Sequence, residues 1–362
     1  MMPDIANRND APSKKKIFYP IKNPLKNYLI KYDREVKLPV QYSDMMRFTY
    51  SSPLFDKNDK DTLWQTVVYD ESEMKELHPG LKFIYALMNA SGHLEVMQHL
   101  SVSRIDYCTF GNSRPFRVRI INRLNDNYDH FYVKVADASR VYGLELEHIL
   151  SPNRINYLTD GNTLIEEHIA GLPGDLFLQT LQNESKFNQI RICKEFVKFN
   201  ERCFIRLLGD MRSYNFVVNV TPDIEDYQYR IRAIDFDQQS YEGRKNLYRP
   251  QFFKENHPLV DLSLNHLNAE SIAQYQAEER ALMALRMAGE RYRILDLLNI
   301  MTRDIISTDE KRIQLKEELA DHFQYNQFLK CKTMGEIVKQ TLRYTLRPHL
   351  TRIQKNLGKI AD

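Results

Sequence analysis

The sequence predicts an α+β fold: a small antiparallel β-sheet lobe, then a larger helical lobe, with an extension ahead of both. Three observations predict it. Residues 104–169 hold five short segments rich in β-branched and aromatic residues, with one helical segment among them. Past Gly174, apolar residues recur mostly at helical spacing. Charged residues make up 27% and hydrophobic residues 43% of the 362, which is ordinary globular usage.

The elements follow in order. Residues 1–13 are polar and expected to be disordered. Residues 72–90 read as a helix from Met74, Leu77, Leu81, Ile84, Leu87 and Met88, with Pro79 interrupting the pattern. The rest of 1–100 shows no clear period, so that stretch is assigned as an extension, partly disordered and then helical. Strands are expected at 104–110, 116–123 and 130–135, joined by turn-like sequences as a meander. A helix follows at 137–150, capped by Asp137 or Ser139. Two more strands, 155–158 and 163–169, flank an Asp160-Gly161 turn. The small lobe is therefore 101–170 and the helical lobe 171–362.

In the helical lobe, residues 190–208 carry a buried-helix pattern. Two short strands, 215–220 and 229–234, follow around an acidic loop. A long helix spans 269–304, with Gly289 as its weak point. Ser307 and Glu310 are spaced as a capping box for the next helix. The last helix has Val338, Leu342, Leu346, Leu350, Ile353, Leu357 and Ile360 on one face, basic residues between them, and Pro348 as an expected kink. Such a stripe packs on its own domain more often than it lies on an anionic membrane surface.

Several functions are disfavoured. The four cysteines show no CxxC spacing and the ten histidines no HxH or HxxxH, so a zinc site is not indicated. No GxSxG occurs. No apolar run reaches the ~18 residues of a membrane span, and no secretory leader is seen, so a cytoplasmic protein with reduced thiols is expected. Residues 1–35 and 341–362 each carry a net charge of +4 against −5 for the remainder. Without a nucleic-acid motif these basic ends read as solvated, and no nucleic-acid partner is expected.

The informative residues lie in Gly209-Asp-Met-Arg-Ser-Tyr-Asn215 and Ile234-Asp-Phe-Asp237. Phosphoryl transfer from ATP needs a carboxylate to take the acceptor's proton, an amide and a second carboxylate to hold Mg²⁺, and a strand lysine held by a helix glutamate. These parts occur in order: Lys134, then Glu145 and Glu147, then the hinge-like Glu166-Glu-His-Ile-Ala-Gly171, then the Asp210 to Asp237 set. Taken singly, each residue has an ordinary structural role; the conjunction carries the reading.

Over residues 104–240 these motifs resemble the protein-kinase-like superfamily, closest to the aminoglycoside phosphotransferase and choline kinase type. LIEEHIAGLPGD is similar to that group's hinge, LLGDMRSYNFVV to its catalytic loop, and IDFD to its metal-binding segment. The resemblance implies a two-lobed fold with ATP and Mg²⁺ as cofactors. It makes Asp210 the catalytic base, with Arg212 on the transferred phosphate. Asn215, Asp235 and Asp237 become metal ligands. Lys134 binds phosphates with Glu145, or else Glu147, as its partner. Gly111 and Ser113 cover the phosphates, and the hinge backbone at Glu167 and Ile169 pairs with adenine. The sequence departs from the family at Leu208, where a histidine is usual, and in having one glycine in the 110–115 loop. No Ala-Pro-Glu follows Asp237, which favours a small-molecule hydroxyl as acceptor over a protein. The alternatives are a nucleotide-binding pseudokinase or scaffold, a protein kinase, or an adenylyl transferase on the same fold. A protein partner and the acceptor are not specified by the sequence.

Overall fold

A computed structural model describes residues 16–56, 59–89, 94–109, 112–183 and 187–361. The segment expected to be disordered, the strand end at Phe110 and the helix end at Ala90 lie outside these residues. The strands are β1 (Tyr50–Phe55), β2 (Asp61–Val68), β3 (Leu100–Cys108), β4 (Phe116–Asn122), β5 (Tyr128–Val135), β6 (Tyr157–Asp160), β7 (Thr163–Glu167), β8 (Leu172–Pro173), β9 (Phe216–Pro222) and β10 (Tyr227–Ala233). The α-helices are α1 (Asn23–Lys31), α2 (Tyr42–Met45), α3 (Glu71–Asn89), α4 (Ala138–Leu150), α5 (Gly174–Asn183), α6 (Gln189–Arg206), α7 (His257–His266), α8 (Ala269–Gly289), α9 (Arg291–Met301), α10 (Asp309–Phe323) and α11 (Met334–Ala361). The fold class is α+β, as expected. None of the described helices is long and apolar enough to cross a membrane.

The chain divides into two compact units. The first takes in Glu35–Asp137 and Tyr157–His168, with the described part of the segment ending at Pro20. It is built on a seven-stranded antiparallel sheet in the order β1-β2-β3-β4-β5-β7-β6. The β3-β4-β5 meander and the β6-β7 hairpin are where the sequence puts them. Gly161 holds a φ of +58° in the hairpin turn, a left-handed conformation that glycine adopts without steric cost. Alternate residues of the central strands, Val118 and Ile120 on β4 and Phe131 and Val133 on β5, form one core with Leu77, Leu81 and Ile84 of α3. Helix α3 runs unbroken through Pro79.

Two strands correct the reading of the extension. β1 and β2 pair with each other, and β2 pairs with β3, so residues 50–68 are part of the sheet. Pro53 lies within β1, the edge strand, where a missing N–H is tolerated. A register shift between Val102 and Arg104 breaks the two-residue period of β3, which explains why only its second half was legible. On the same sheet, the Arg117 guanidinium lies 4.6 Å from the Trp64 ring centroid, and Trp64 packs at 6.3 Å from Tyr132. Asp137 receives the Lys16 ammonium at 2.6 Å and the Tyr19 N–H at 2.9 Å.

The second unit comprises Ile21–Arg34, Ala138–Asn156 and everything from Ile169 onward. Helix α4 is buried along nearly all its length, apolar and charged residues alike. Charges inside such a helix need partners. Glu145 accepts two hydrogen bonds from Arg293, at 2.8 and 2.9 Å, and one from the Tyr28 hydroxyl at 2.5 Å; Arg34 stands 3.4 Å away. Glu147 is ion-paired with Arg206. The Ser139 hydroxyl donates to the Gln239 carbonyl at 2.6 Å rather than capping the helix.

The long helix expected over 269–304 ends at Gly289 as α8, and α9 resumes at Arg291. The cap of α10 is Thr308, whose hydroxyl accepts from Lys311, not Ser307. Ser307 instead donates to the Tyr241 carbonyl. Helix α11 is continuous through Pro348, and its Val338, Leu342 and Leu346 are fully buried against α8, α6 and α9. The described half of the apolar stripe thus packs on its own unit; the side chains of Ile353, Leu357 and Ile360 lie outside the description. None of Cys108, Cys193, Cys203 and Cys331 is joined in a disulfide.

Candidate functional site

The Asp210 loop is shaped by what surrounds α6. That helix stops at Leu207, which is buried and left-handed with φ +56°. Leu208 bridges to Gln239, and the Gly209 N–H donates to the Gln238 carbonyl at 3.2 Å. The Asp210 N–H donates to the Leu247 carbonyl at 3.0 Å. These bonds hold Asp210 at φ +57°, an uncommon conformation for a side chain other than glycine. The loop then closes on itself: the Arg212 N–H donates to the Asp210 carbonyl at 2.9 Å, and the Asn215 N–H to the Arg212 carbonyl at 2.8 Å.

Glycine is needed at 174 for this loop to fit. A Cβ there would stand 2.3 Å from the Ser213 carbonyl oxygen and 2.4 Å from the Phe216 ring. The start of α5 therefore lies directly against the loop backbone.

The side chains converge on Asp210. Arg212 Nε donates to its Oδ1 at 2.9 Å, and the other arm of the same guanidinium reaches Glu255 at 2.8 Å. The Asn215 amide donates to the Asp210 carbonyl at 2.7 Å, and its nitrogen is 3.5 Å from the carboxylate. With its NH₂ spent there, the amide oxygen of Asn215 is the acceptor end. Burial pushes the Asp210 carboxyl up to about 6, against the pull of Arg212; Asp235 and Glu242 add to the rise.

Asn215 is tied to the next segment through its carbonyl, which accepts the Ile234 N–H at 3.0 Å. Asp235 follows directly. A single Arg140 nitrogen lies 2.9 Å from Asp235 Oδ1 and 2.6 Å from Asp237 Oδ1. The Asp237 N–H also donates to Asp235 Oδ1, at 3.1 Å.

Lys134, in the first unit, lies on β5, and its ammonium is 2.7 Å from Glu166 on β7, with both side chains buried. Within the first unit, the carboxylate at Lys134 is Glu166; Glu145 and Glu147 belong to the second unit. Those two have the arginine partners described above. Glu167 ends β7 and Ile169 is buried just beyond it, in the second unit. Ser113 is half-buried in the β3–β4 connection, which returns through Arg114 at φ +40°. Gly111 lies outside the described residues.

The second unit therefore brings together Asp210, Arg212 and Asn215, and joins Asn215 through the backbone to the Asp235–Asp237 segment. Sequence reasoning missed three participants. Glu255 stands far along the chain and carries no local signal. Arg140 had one: a lone cation on a helix otherwise apolar over most of its surface. Glu166 was read as hinge rather than as a partner, although β5 and β7 put it opposite Tyr132, on the diagonal from Lys134.

Among the described residues, no three His, Cys, Asp or Glu side chains gather as a metal cluster. A Mg²⁺ ion that arrives on nucleotide phosphates needs only one or two protein carboxylates. The donor chemistry of Asp235 with the Asn215 amide oxygen fits that requirement. No family model matches the chain, and no curated protein matches it significantly.

Proposed function

We propose that the chain is an ATP- and Mg²⁺-dependent phosphotransferase of two-lobed, kinase-like fold that transfers a phosphoryl group to a hydroxyl of a small molecule. The observation that carries the reading is Asp210. A carboxyl raised to about 6 is a base matched to neutral pH, ionised at pH 7 yet able to accept a proton.

In this reading Asp210 orients the acceptor hydroxyl and takes its proton as the new O–P bond forms and the bond to the ADP leaving group breaks. Arg212 keeps the carboxylate in one orientation and, through its bond to Glu255, resists being drawn away from it. Asn215 fixes the loop through the Asp210 carbonyl and offers its amide oxygen to the metal, alongside Asp235. Bound Mg²⁺ would supply charge neutralisation on the phosphates.

Thermal unfolding with and without ATP and Mg²⁺ tests the binding half. A ligand at a hundred times its Kd stabilises a protein by about 2.7 kcal/mol, which moves Tm by a few degrees. The shift is expected to need both components. Asp210→Asn is expected to abolish turnover while keeping the shift. No shift at millimolar ATP would end the proposal. A shift with no turnover in any acceptor screen would leave a nucleotide-binding scaffold.

A further inference from the structure

We propose that the cleft in which α4 ends against the end of α8 binds a small phosphate monoester. This goes beyond the phosphotransfer reading and does not depend on it. The cleft lies within the second unit, and no residue of the Asp210 loop lines it. Its volume is about 430 Å³, the size of a small-molecule site.

Two arginines line it. Arg154 follows α4 with its side chain 77% exposed, and Glu290 stands 3.7 Å from it. Such a loose surface pair contributes little, so an incoming dianion displaces Glu290 at small cost. Arg286 donates through Nη1 to the carbonyl of Leu150, the last residue of α4, at 3.3 Å. That bond holds the guanidinium at the cleft and leaves further N–H groups on it as donors. Ser151, also on the wall, accepts the Asn153 N–H at 3.3 Å and keeps a hydroxyl proton to give. Two planar guanidinium forks and a hydroxyl suit the three terminal oxygens of a phosphate ester.

Helix C-termini carry partial negative charge and by themselves repel an anion. Neighbouring cations counter that here. Burial, Arg34 and Arg293 bring His148 on the cleft wall down to about 4, against the pull of Glu145. Burial, Arg202 and Arg230 likewise hold Arg286 below the ordinary arginine range, although Glu279 opposes them.

Gly289 supplies the space. It lines the cleft, its φ is not left-handed, and a Cβ there would meet no atom of the described residues within 4 Å. The backbone does not require a glycine at this point, and a helix is weakened by one. What the missing side chain leaves is open volume beside Arg286.

Calorimetric titration of the full chain with glycerol 3-phosphate, at pH 7.5 and fixed ionic strength, tests the site. One saturable event per chain is expected at millimolar concentration. Arg154→Gln should weaken it by about tenfold, the loss of one charge-assisted contact. Gly289→Leu should abolish it by filling the cleft, while a better helix former keeps Tm from falling. Binding that both variants leave unchanged, an equal response to sodium chloride, or no saturable binding would overturn the inference. Should Gly289→Leu not fold, Arg154→Gln decides. Pelleting with phosphatidic acid vesicles separates the two sources of such a group. Arg154-dependent pelleting supports the site with a lipid headgroup as its ligand, and calorimetric binding without pelleting supports it with a soluble ester.

Discussion

The Nε of Arg212 lies 2.9 Å from Oδ1 of Asp210, yet the carboxyl it touches is held above, not below, the ordinary carboxylate range. Burial outweighs the ion pair, and the negative charges of Asp235 and Glu242 add to the rise. The sign of the stability effect follows. A raised pKa means that the folded state binds the Asp210 proton more tightly than the unfolded one. Its contribution is fully present below about pH 4 and is lost as pH rises to about 6. Asp210→Asn should therefore stabilise the protein at pH 7.5, by about 1–3 kcal/mol, and flatten the pH dependence of Tm between those limits. If the variant is less stable at pH 7.5, the raised carboxyl is refuted.

The same carboxyl sets a rate prediction. A base must be ionised to act, so kcat/KM for the proposed transfer should fall about tenfold per unit below pH 6 and be flat just above it. A profile level down to pH 4.5 would remove Asp210 from the base role.

Gly174→Ala tests how closely α5 meets the loop. The added Cβ would overlap the Ser213 carbonyl and the Phe216 ring, neither of which is a flexible side-chain end. Denaturant unfolding should show a loss of roughly 1–3 kcal/mol, an ordinary overpacking cost. Unchanged stability would mean that the loop has room to move.

Arg140→Met leaves Asp235 and Asp237 without their internal cation and should cost about 3 kcal/mol, near the lower end for breaking a buried pair because Asp235 is partly exposed. Combining it with Asp237→Leu should cost less than the sum of the two single changes. Strict additivity would show that the pair is not coupled.

Glu145→Gln should be at least as damaging, by about 3–5 kcal/mol, since it strips the negative charge from Arg293 and Arg34 at a fully buried position. Equilibrium unfolding in urea measures it directly. A cost under about 1 kcal/mol would reassign Glu145 to a solvated role.

The elements legible in the sequence were those whose pattern was local. The β4 and β5 alternation, the Asp160-Gly161 turn, the buried face of α6 and the break at Gly289 all appear where periodicity and turn chemistry put them. β1 was missed because Pro53 and polar residues mask a strand at the sheet edge, where only one neighbour has to be satisfied, and β2, which lies between β1 and β3, was missed with it. The candidate site divided in the same way. Asp210, Arg212 and Asn215 lie within one short loop and were found together. The partners that the fold supplies from elsewhere, Arg140 for the aspartates, Glu255 for Arg212 and Glu166 for Lys134, depend on packing between distant segments, which spacing along the chain does not encode.

Trp64 is the sole tryptophan of the chain, and it sits on β2 between the Arg117 guanidinium and the Tyr132 ring. Indole emission is therefore an optical reporter of the first unit's sheet alone, while far-ultraviolet dichroism is dominated by the helices of the second unit. Following both signals through one unfolding experiment reveals whether the two units melt as one cooperative system or in succession, without any label being introduced.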